Sequence, residues 1–432
     1  MNVLFIMADE LRADVAYHER YPFVEMPNLD RLRREGATFT QAFCNTPTCV
    51  PSRASVNTGM YPHQLGIMNH QRSIPPHIPT WGKLFADAGY DVPAFGKTHG
   101  QNPGFEPMKD PGVHVETLGT TNAGNHPFSE TITGMFQGEE DEYYEFRIAS
   151  DVRSFLESRD RSKPFAAHVG FLAPHPPFYP PKRFVDLYDE EAFDPPEVDE
   201  LNWRTKPLMH RTKSLHQYLC HRPEVRRRVI QRYCALCTLL DEALGRILDA
   251  LEATDVLDET LIAFTADHGD QLGDHDMMGK FWNFYEGSLR VPLVIRLPED
   301  ARKPQGERRD FPSLVELVDV MPTLLDFAGL DIPDHLAGRS LGTLTRSLVN
   351  NPYPQQTWRD AAFCETENGR MLRTNRWKLC HYSNDIGELY DLSTDPGEEN
   401  NLYESPDHRE IRRELTERLL SQVIDHPSRY PL

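Results

Sequence analysis

The sequence predicts an α/β protein: a mostly parallel sheet sandwiched by helices, then a small antiparallel sheet with its own helix. Three observations carry this. Apolar runs of strand length end in acids at "NVLFIMADE" and "DETLIAFTADHGD", as buried parallel strands do when they deliver polar groups to a sheet edge. Strand patterns alternate with helix patterns through most of the chain, the order of a parallel sheet covered on both faces. After about residue 340 the runs shorten and turn residues crowd in, which marks an antiparallel sheet.

The elements follow in order. Residues 2–8 are a buried first strand. "PNLDRLRREGA" is a short helix closed by Gly36. "PTWGKLFADAGYDVPAFGK" reads as helix, turn and strand. "KPFAAHVGFLAPHPPF" is a strand entering a proline-rich loop, 174–181, that belongs to the fold. Residues 224–253 hold the longest helical periodicity. "DETLIAFTADHGD" and "LRVPLVIRLP" are strands, and "DVMPTLLDFAGL" is a helix with proline near its start. "AAFCETENGRMLRTNRWKLCHYSNDIGELYDL" is short strands, and residues 407–424 are helical. The expected division is a catalytic domain over 1–345 and a C-terminal α+β subdomain over 346–432.

At 432 residues the chain can bury one large core with a smaller appendage. It has no apolar run of membrane-spanning length. The N-terminal segment lacks a basic stretch and a small-residue cleavage site, so a cytoplasmic location is expected. The net charge of −20 argues against nucleic acid or an anionic membrane as partner. Seven cysteines, an odd number, read as mostly free thiols in a reducing compartment. Cys234 and Cys237 form a CxxC inside the long helix, with no second pair or histidines beside it. They read as buried helix residues rather than zinc ligands.

Ionisable residues gather where strands end. Asp9 and Glu10 follow the first strand, Lys97 and His99 follow "DVPAF", His175 follows "HVGFLAP", and Asp267 and His268 follow "LIAFTA". Lys280 comes 13 residues after Asp267. Ligands of open α/β sheets bind outside the carboxyl ends of the strands, so these residues can meet. Asp9, Glu10, Asp267 and His268 read as a cation site, because converging carboxylates repel unless neutralised. Oxygen-rich ligation favours Ca²⁺, Mg²⁺ or Mn²⁺, and the histidine moves the choice toward Mn²⁺. The plainer reading is that each acid caps a helix or is solvated. Arg53, Lys97, His99, His175 and Lys280 would surround a compact oxyanion; taken singly, each is an ordinary surface lysine or core histidine.

"CVPSRASVNTGMYP" adds a lone Cys49 beside this edge. Ser52 is expected to begin a helix with Pro51 before it. Arg53 then falls in the first turn, against the helix dipole, unless an anion or Cys49 gives it a reason to be there. "GIMNHQR" follows this helix. It either puts Asn69 or His70 near the substrate or forms a surface turn.

The segment "CVPSRASVNTG" resembles the signature of the sulfatase family, Cys-x-Pro-Ser-Arg followed by Thr-Gly. The resemblance extends over nearly the whole chain, through "MPNLDRLRREGATFTQAF", "GKTHG", "APHPPF", "TADHGDQLGDHDMMGK", "VDVMPTLLDFAGL" and "GELYDLSTDPGEENNL". It implies an alkaline-phosphatase-like fold. It also implies hydrolysis of a small aryl, alkyl or sugar sulfate, with a maturation enzyme that oxidises Cys49 to formylglycine. Carried over residue by residue, Cys49 as the formylglycine hydrate would be nucleophile and metal ligand. Asp9, Glu10, Asp267 and His268 would hold one divalent cation, Ca²⁺ first and Mn²⁺ or Mg²⁺ next. Arg53 would orient the hydrate, and Lys97 and Lys280 would grip sulfate oxygens. His175 would protonate the leaving group, and His99 would take a proton from the second hydroxyl, expelling sulfate. Glu10 stands where many sulfatases have Asp, and His268 where many have Asn. The related phosphonate monoester hydrolases share the cysteine motif and the Asp-His pair but lack the Lys and His of "GKTHG". Phosphonate monoester or phosphodiester hydrolysis at the same site is therefore the alternative. A homo-oligomer is compatible with the sequence, which does not fix a copy number.

Overall fold

The computed structural model describes residues 1–101, 103–107, 133–196, 202–210, 222–280, 282–299, 309–347 and 358–427. Its first strand, β1 (Asn2–Asp9), is buried along its whole length. The further strands of its sheet are β2 (Ala37–Phe43), β3 (Pro93–Gly96), β4 (Glu106–Pro107), β5 (Ala166–Pro174), β6 (Thr260–Ala266), β7 (Arg290–Val291), β8 (Leu293–Arg296) and β9 (Arg309–Glu316). The spatial order is β4-β3-β5-β1-β6-β8-β2-β7, with β9 added beside β2. The pairs β3–β4, β3–β5, β5–β1, β1–β6 and β2–β9 are parallel. Strand β8 runs antiparallel to both β6 and β2, so the sheet is mixed but mostly parallel.

Register explains how distant residues meet. Asp9 lies opposite Pro174 of β5, and Ala8 lies opposite Ala266 of β6. The next residues along each strand, Glu10, His175 and Asp267, therefore leave the sheet at one edge. This follows from the apolar runs themselves: strands buried on both faces change character only where they end.

Helices cover the sheet. The long helix Pro223–Ala253 packs on β5 and against the helices Pro27–Glu35 and Tyr144–Ser158. A second group, Cys49–Thr58, Trp81–Asp87 and Val320–Ala328, packs together. Cys234 and Cys237 are fully buried in the long helix, and burial raises both thiols. None of the six described cysteines forms a disulfide; Cys220 lies outside the described residues. Among the described residues no helix is long and apolar enough to cross a membrane.

Four parts of the fold depart from expectation. The segment "LRVPLVIRLP" is two strands, β7 and β8, split at Pro292, which has no N–H to give a ladder. Strands β2 and β9 were not anticipated, because "ATFTQAF" and "RDFPSLVE" mix polar residues and a proline into short runs. The helix Tyr144–Ser158 follows an acidic stretch without a sequence cap and was also missed.

Strands β10 (Ala361–Glu365), β11 (Gly369–Thr374), β12 (Trp377–Tyr382) and β13 (Glu388–Asp391) form a second, antiparallel sheet in chain order. The helix Arg409–Asp425 packs on it through Leu415 and Leu419. Tyr61 and Val318 join the same core, so the second sheet is seated on the segment that follows the Cys49 helix. The expected division at 345/346 falls beside 348–357, which lie outside the described residues.

Asp241, buried in the long helix, caps the helix Pro27–Glu35 from outside. Its carboxylate accepts the N–H of Asn28 at 2.9 Å and of Leu29 at 2.7 Å. Met26, at the cap position, offers no side-chain oxygen. Burial pushes the Asp241 carboxyl up to about 6, against the hydrogen bonds from Asn28 and Leu29. Asp241→Ala should cost about 1–2 kcal/mol in urea unfolding, the range of a lost cap, whereas Asp241→Asn should retain most of the stability. Equal losses in both variants would remove the capping role.

Candidate active site

The helix that carries Cys49 is polar and yet wholly buried. All ten residues of Cys49–Thr58 are inaccessible, including Ser52, Arg53, Ser55, Asn57 and Thr58. The helix begins at Cys49, with Thr48 in the cap position, rather than at Ser52 as expected. Pro51 is therefore its third residue, where a missing N–H costs no intrahelical bond. Arg53 lies beyond the first turn, so the expected conflict with the helix dipole does not arise. Cys49 occupies the helix N-terminus itself, a position that favours an anion.

Three polar side chains of this helix are committed to contacts with other elements. Arg53 is 1% exposed and donates to Asp267 Oδ2 at 2.8 Å, Asp9 Oδ2 at 2.9 Å and the Lys97 carbonyl at 2.8 Å. Ser52 Oγ donates to the Asp267 carbonyl at 2.6 Å, so its hydroxyl is committed to fixing the end of β6. Asn57 donates to the Gln101 carbonyl at 2.6 Å and accepts from Trp81 Nε1 at 2.7 Å.

Asp9 is the centre of the charge cluster. Lys97 Nζ lies 2.6 Å from its Oδ2. Burial would raise the Asp9 carboxyl, but Lys97, His175, Arg53 and Lys280 outweigh it and hold the group well below the usual carboxylate range. Asp267 moves up, through burial and repulsion from Asp9. Glu10 sits in the left-handed region at φ 68°. Its carboxylate accepts from Lys280 Nζ at 2.9 Å and faces His175 Nε2 at 3.5 Å. Burial opposes the charge on Lys280, but Glu10, Cys49 and Asp9 raise its pKa overall. Burial and Asp9 push the Cys49 thiol up. Lys280 and the neighbouring imidazoles of His175 and His268 reverse this, leaving it well below an ordinary thiol.

Lys97 reaches Asp9 through a close contact between two strands. Gly96 has φ 72°, and a Cβ there would lie 2.3 Å from the Gly170 carbonyl; a Cβ on Gly170 would lie 2.0 Å from the Lys97 carbonyl. Lys97 N–H donates to Gly170 O at 2.7 Å. Only glycine at both positions lets the backbones approach this far.

The cluster fits a cation. Ligand atoms of Asp9, Cys49, Asp267 and His268 lie within 4.8 Å of one another, and those of Asp9, Glu10 and His175 form a second, overlapping group. Glu10 thus sits with His175 rather than among the first four. Asp9 Oδ1 and His268 Nε2 are buried and accept or donate no hydrogen bond. His268 Nδ1 lies 3.0 Å from the Gly269 carbonyl, and that hydrogen bond leaves Nε2 as the ligating nitrogen. Burial lowers the His268 imidazole, but Asp267 raises it, to about 10 overall.

Of the remaining expected residues, His175 lies at the site with Nδ1 2.6 Å from the Pro176 carbonyl. His99 is exposed, in the left-handed region at φ 53°, with its ring 6.4 Å from that of His70. Of the two imidazoles at the mouth, His70 is the one that reaches Cys49, with Nε2 3.7 Å from Sγ. Two further residues had no sequence signal. Glu145 is fully buried and accepts the N–H of Leu172 at 3.1 Å and of Ala173 at 2.8 Å, holding the end of β5. Gln101 clasps two loops at the mouth. A cavity of about 500 Å³ lies elsewhere, walled by Arg12, Arg20, Lys206, Tyr285 and Arg373, and no residue of the Asp9 cluster lines it.

A mostly parallel sheet, a strand-end acid cluster and a cysteine at a helix N-terminus are the features of a hydrolase of the alkaline-phosphatase-like class. The chain belongs to the sulfatase family: the family model "Sulfatase" matches residues 1–330. A model of the N-sulphoglucosamine sulphohydrolase C-terminal region matches 273–425. An arylsulfatase of Clostridium perfringens is 30% identical over 95% of this chain and 91% of its own. A multifunctional alkaline phosphatase superfamily protein of Trinickia caryophylli is 30% identical over 99% and 96%. The crystal structure of the phosphonate monoester hydrolase of Agrobacterium radiobacter superposes with TM-score 0.86 at 27% identity, covering 99% of this chain and 96% of that one.

Ligation requires neutral His268, so a cation must displace its proton. Ca²⁺ or Mn²⁺ should raise the melting temperature, and the rise should grow between about pH 6 and about pH 9, where proton competition weakens. Asp267→Asn should abolish the rise. A pH-independent shift, or one that survives this substitution, would place the ion elsewhere.

Proposed function

We propose that the protein hydrolyses small sulfate monoesters at residue 49 after oxidation of Cys49 to formylglycine by a maturation enzyme. The observation that carries this reading is the setting of Cys49. It lies at a helix N-terminus within 4.8 Å of Asp9, Asp267 and His268 ligand atoms, inside the segment "CVPSRASVNTG". A divalent cation held by Asp9, Asp267, His268 and residue 49, with Glu10 beside them, would supply Lewis acidity; Ca²⁺ suits the carboxylates and Mn²⁺ the histidine. The oxidised residue would supply the oxygen nucleophile.

The other residues do the rest. Arg53 neutralises Asp9 and Asp267 from beneath and fixes the end of β6. Lys97 and Lys280 bring ammonium groups to Asp9 and Glu10, where they can also donate to sulfate oxygens as charge builds there. His175, oriented by the Pro176 carbonyl, carries the proton for the leaving oxygen. His99 stands at the mouth, one imidazole removed from Cys49. Ser52, the nucleophile a serine hydrolase would need here, is bonded to the Asp267 carbonyl, which counts against a metal phosphomonoesterase with a serine nucleophile.

A second reading, phosphonate monoester or phosphodiester hydrolysis, is supported by the likeness to the Agrobacterium enzyme. Lys97 and His99 favour sulfate. The test is a side-by-side assay of an aryl sulfate and an aryl phosphonate ester on matured protein. The sulfate should be turned over with the higher kcat/KM; a phosphonate preference of several orders of magnitude would overturn the first reading.

Cys49→Ala should abolish turnover with the fold intact, and the wild-type peptide should carry an aldehyde by mass spectrometry. A Cys49 that remains alkylatable after co-expression with the maturation enzyme would defeat the proposal. His175→Ala should reduce turnover of alkyl sulfates far more than of aryl sulfates, whose leaving groups need little protonation. Equal losses would remove the acid role.

A further inference from the structure

We propose that His70 is the side chain that holds the outer face of the nucleophile at residue 49, as a hydrogen-bond partner of its hydroxyl. This rests on the functional reading above. The family resemblance assigns no role to residue 70, and it gives the mouth imidazole's role to His99.

The geometry singles out His70. Its Nε2 lies 3.7 Å from Cys49 Sγ, the atom whose place the oxygens of the oxidised residue take. Cys49 is buried at 3% exposure, while His70 and His99 are exposed. His70 therefore stands between the nucleophile and the solvent from which substrate arrives. The His99 ring packs edge-on behind it, at 81° and 6.4 Å. His99 supports His70, and His70 makes the contact.

An exposed loop places a side chain well only if its backbone is held. Here it is held at several points. Gln101, 1% exposed, accepts the N–H of Ile74 at 3.0 Å and donates to the carbonyls of Arg72 at 3.3 Å and His99 at 3.1 Å. One buried amide thus joins the loop of His70 to the loop of His99. The backbone carbonyl of Gln101 is anchored in turn by Asn57 of the Cys49 helix. On the far side, Asn69 donates to Glu367 Oε1 at 2.6 Å, from the turn that joins β10 to β11. The second sheet therefore braces the loop that overhangs the nucleophile.

The test compares His70→Ala, His70→Asn and His99→Ala in matured protein. One readout is kcat/KM for an aryl sulfate. The other is the rate at which an aminooxy probe forms an oxime at residue 49 without substrate, followed by intact mass. The probe condenses only with the free aldehyde, so a group that holds the hydrate slows labelling. His70→Ala should lower kcat/KM roughly 10- to 100-fold, the scale of one strong hydrogen bond, and speed labelling several-fold. His70→Asn should recover most of both effects, and His99→Ala should fall short of His70→Ala in both. Because His70 is exposed, unchanged melting temperatures are expected. Wild-type aldehyde with His70→Ala indistinguishable from it in both readouts would overturn the assignment alone. A wild-type protein with no aldehyde would overturn the functional reading, and this proposal with it.

Discussion

Two carboxylates that cannot avoid each other organise this protein. Asp9 and Asp267 end neighbouring parallel strands and are fully buried. Buried like charges at this separation are costly by several kcal/mol unless compensated. Arg53 supplies the compensation from a helix on the other side, with one guanidinium nitrogen on each acid and a third on the Lys97 carbonyl. A lysine has no such planar fork and would not hold both acids and the carbonyl in this fixed geometry. The burial of the whole Cys49 helix, the β3–β5 glycine contact and the placement of Lys97 all follow from the need to bring this guanidinium beneath the cluster. Cys49 is carried on the same helix, so its position is fixed by the same contacts.

The charge inventory then explains what the site can accept. Asp9, Glu10 and Asp267 face Arg53, Lys97 and Lys280, three against three. A divalent cation held there would leave an excess of positive charge in a buried place. An anionic ester would offset part of that excess through its outer oxygens, and the leaving oxygen gains charge as its bond breaks. Complementarity of this kind favours the transition state over the ground state.

The parts of this arrangement legible from sequence are those with a strong periodic or compositional signal. Strands β1 and β6 read as continuous apolar runs because both faces are buried, and the switch to acids marks their ends within a residue. The first turn of the Cys49 helix was misplaced by three residues because Pro51 is compatible both with preceding a helix and with its first turn. "GIMNHQR" left His70 open between the substrate and a surface turn, while Gln101 and Glu145 gave no signal at all. Their significance comes from tertiary contacts across 29 and 27 positions of chain respectively, and no local pattern encodes such contacts. The cavity behind Arg12 carries the opposite lesson: its size marks a seam between sheets, whereas the chemistry lies where charged atoms converge.

The kinship with phosphonate hydrolases has a physical basis in the same inventory. Sulfate monoesters, phosphonate monoesters and phosphodiesters each present a tetrahedral centre with a single negative charge. Phosphate monoesters carry nearly two at neutral pH. The excess that a divalent cation would leave beside three acids and three bases attracts an anion of any of these kinds, so total charge alone does not select among them. Discrimination must then come from groups that touch the oxygens and substituents individually rather than from the cluster's total charge. The exposed side chains nearest Cys49 lie on loops joined by Gln101 and braced by the second sheet through Glu367. The strand-end acids fix the buried cluster, and these clasped loops form the rim above it.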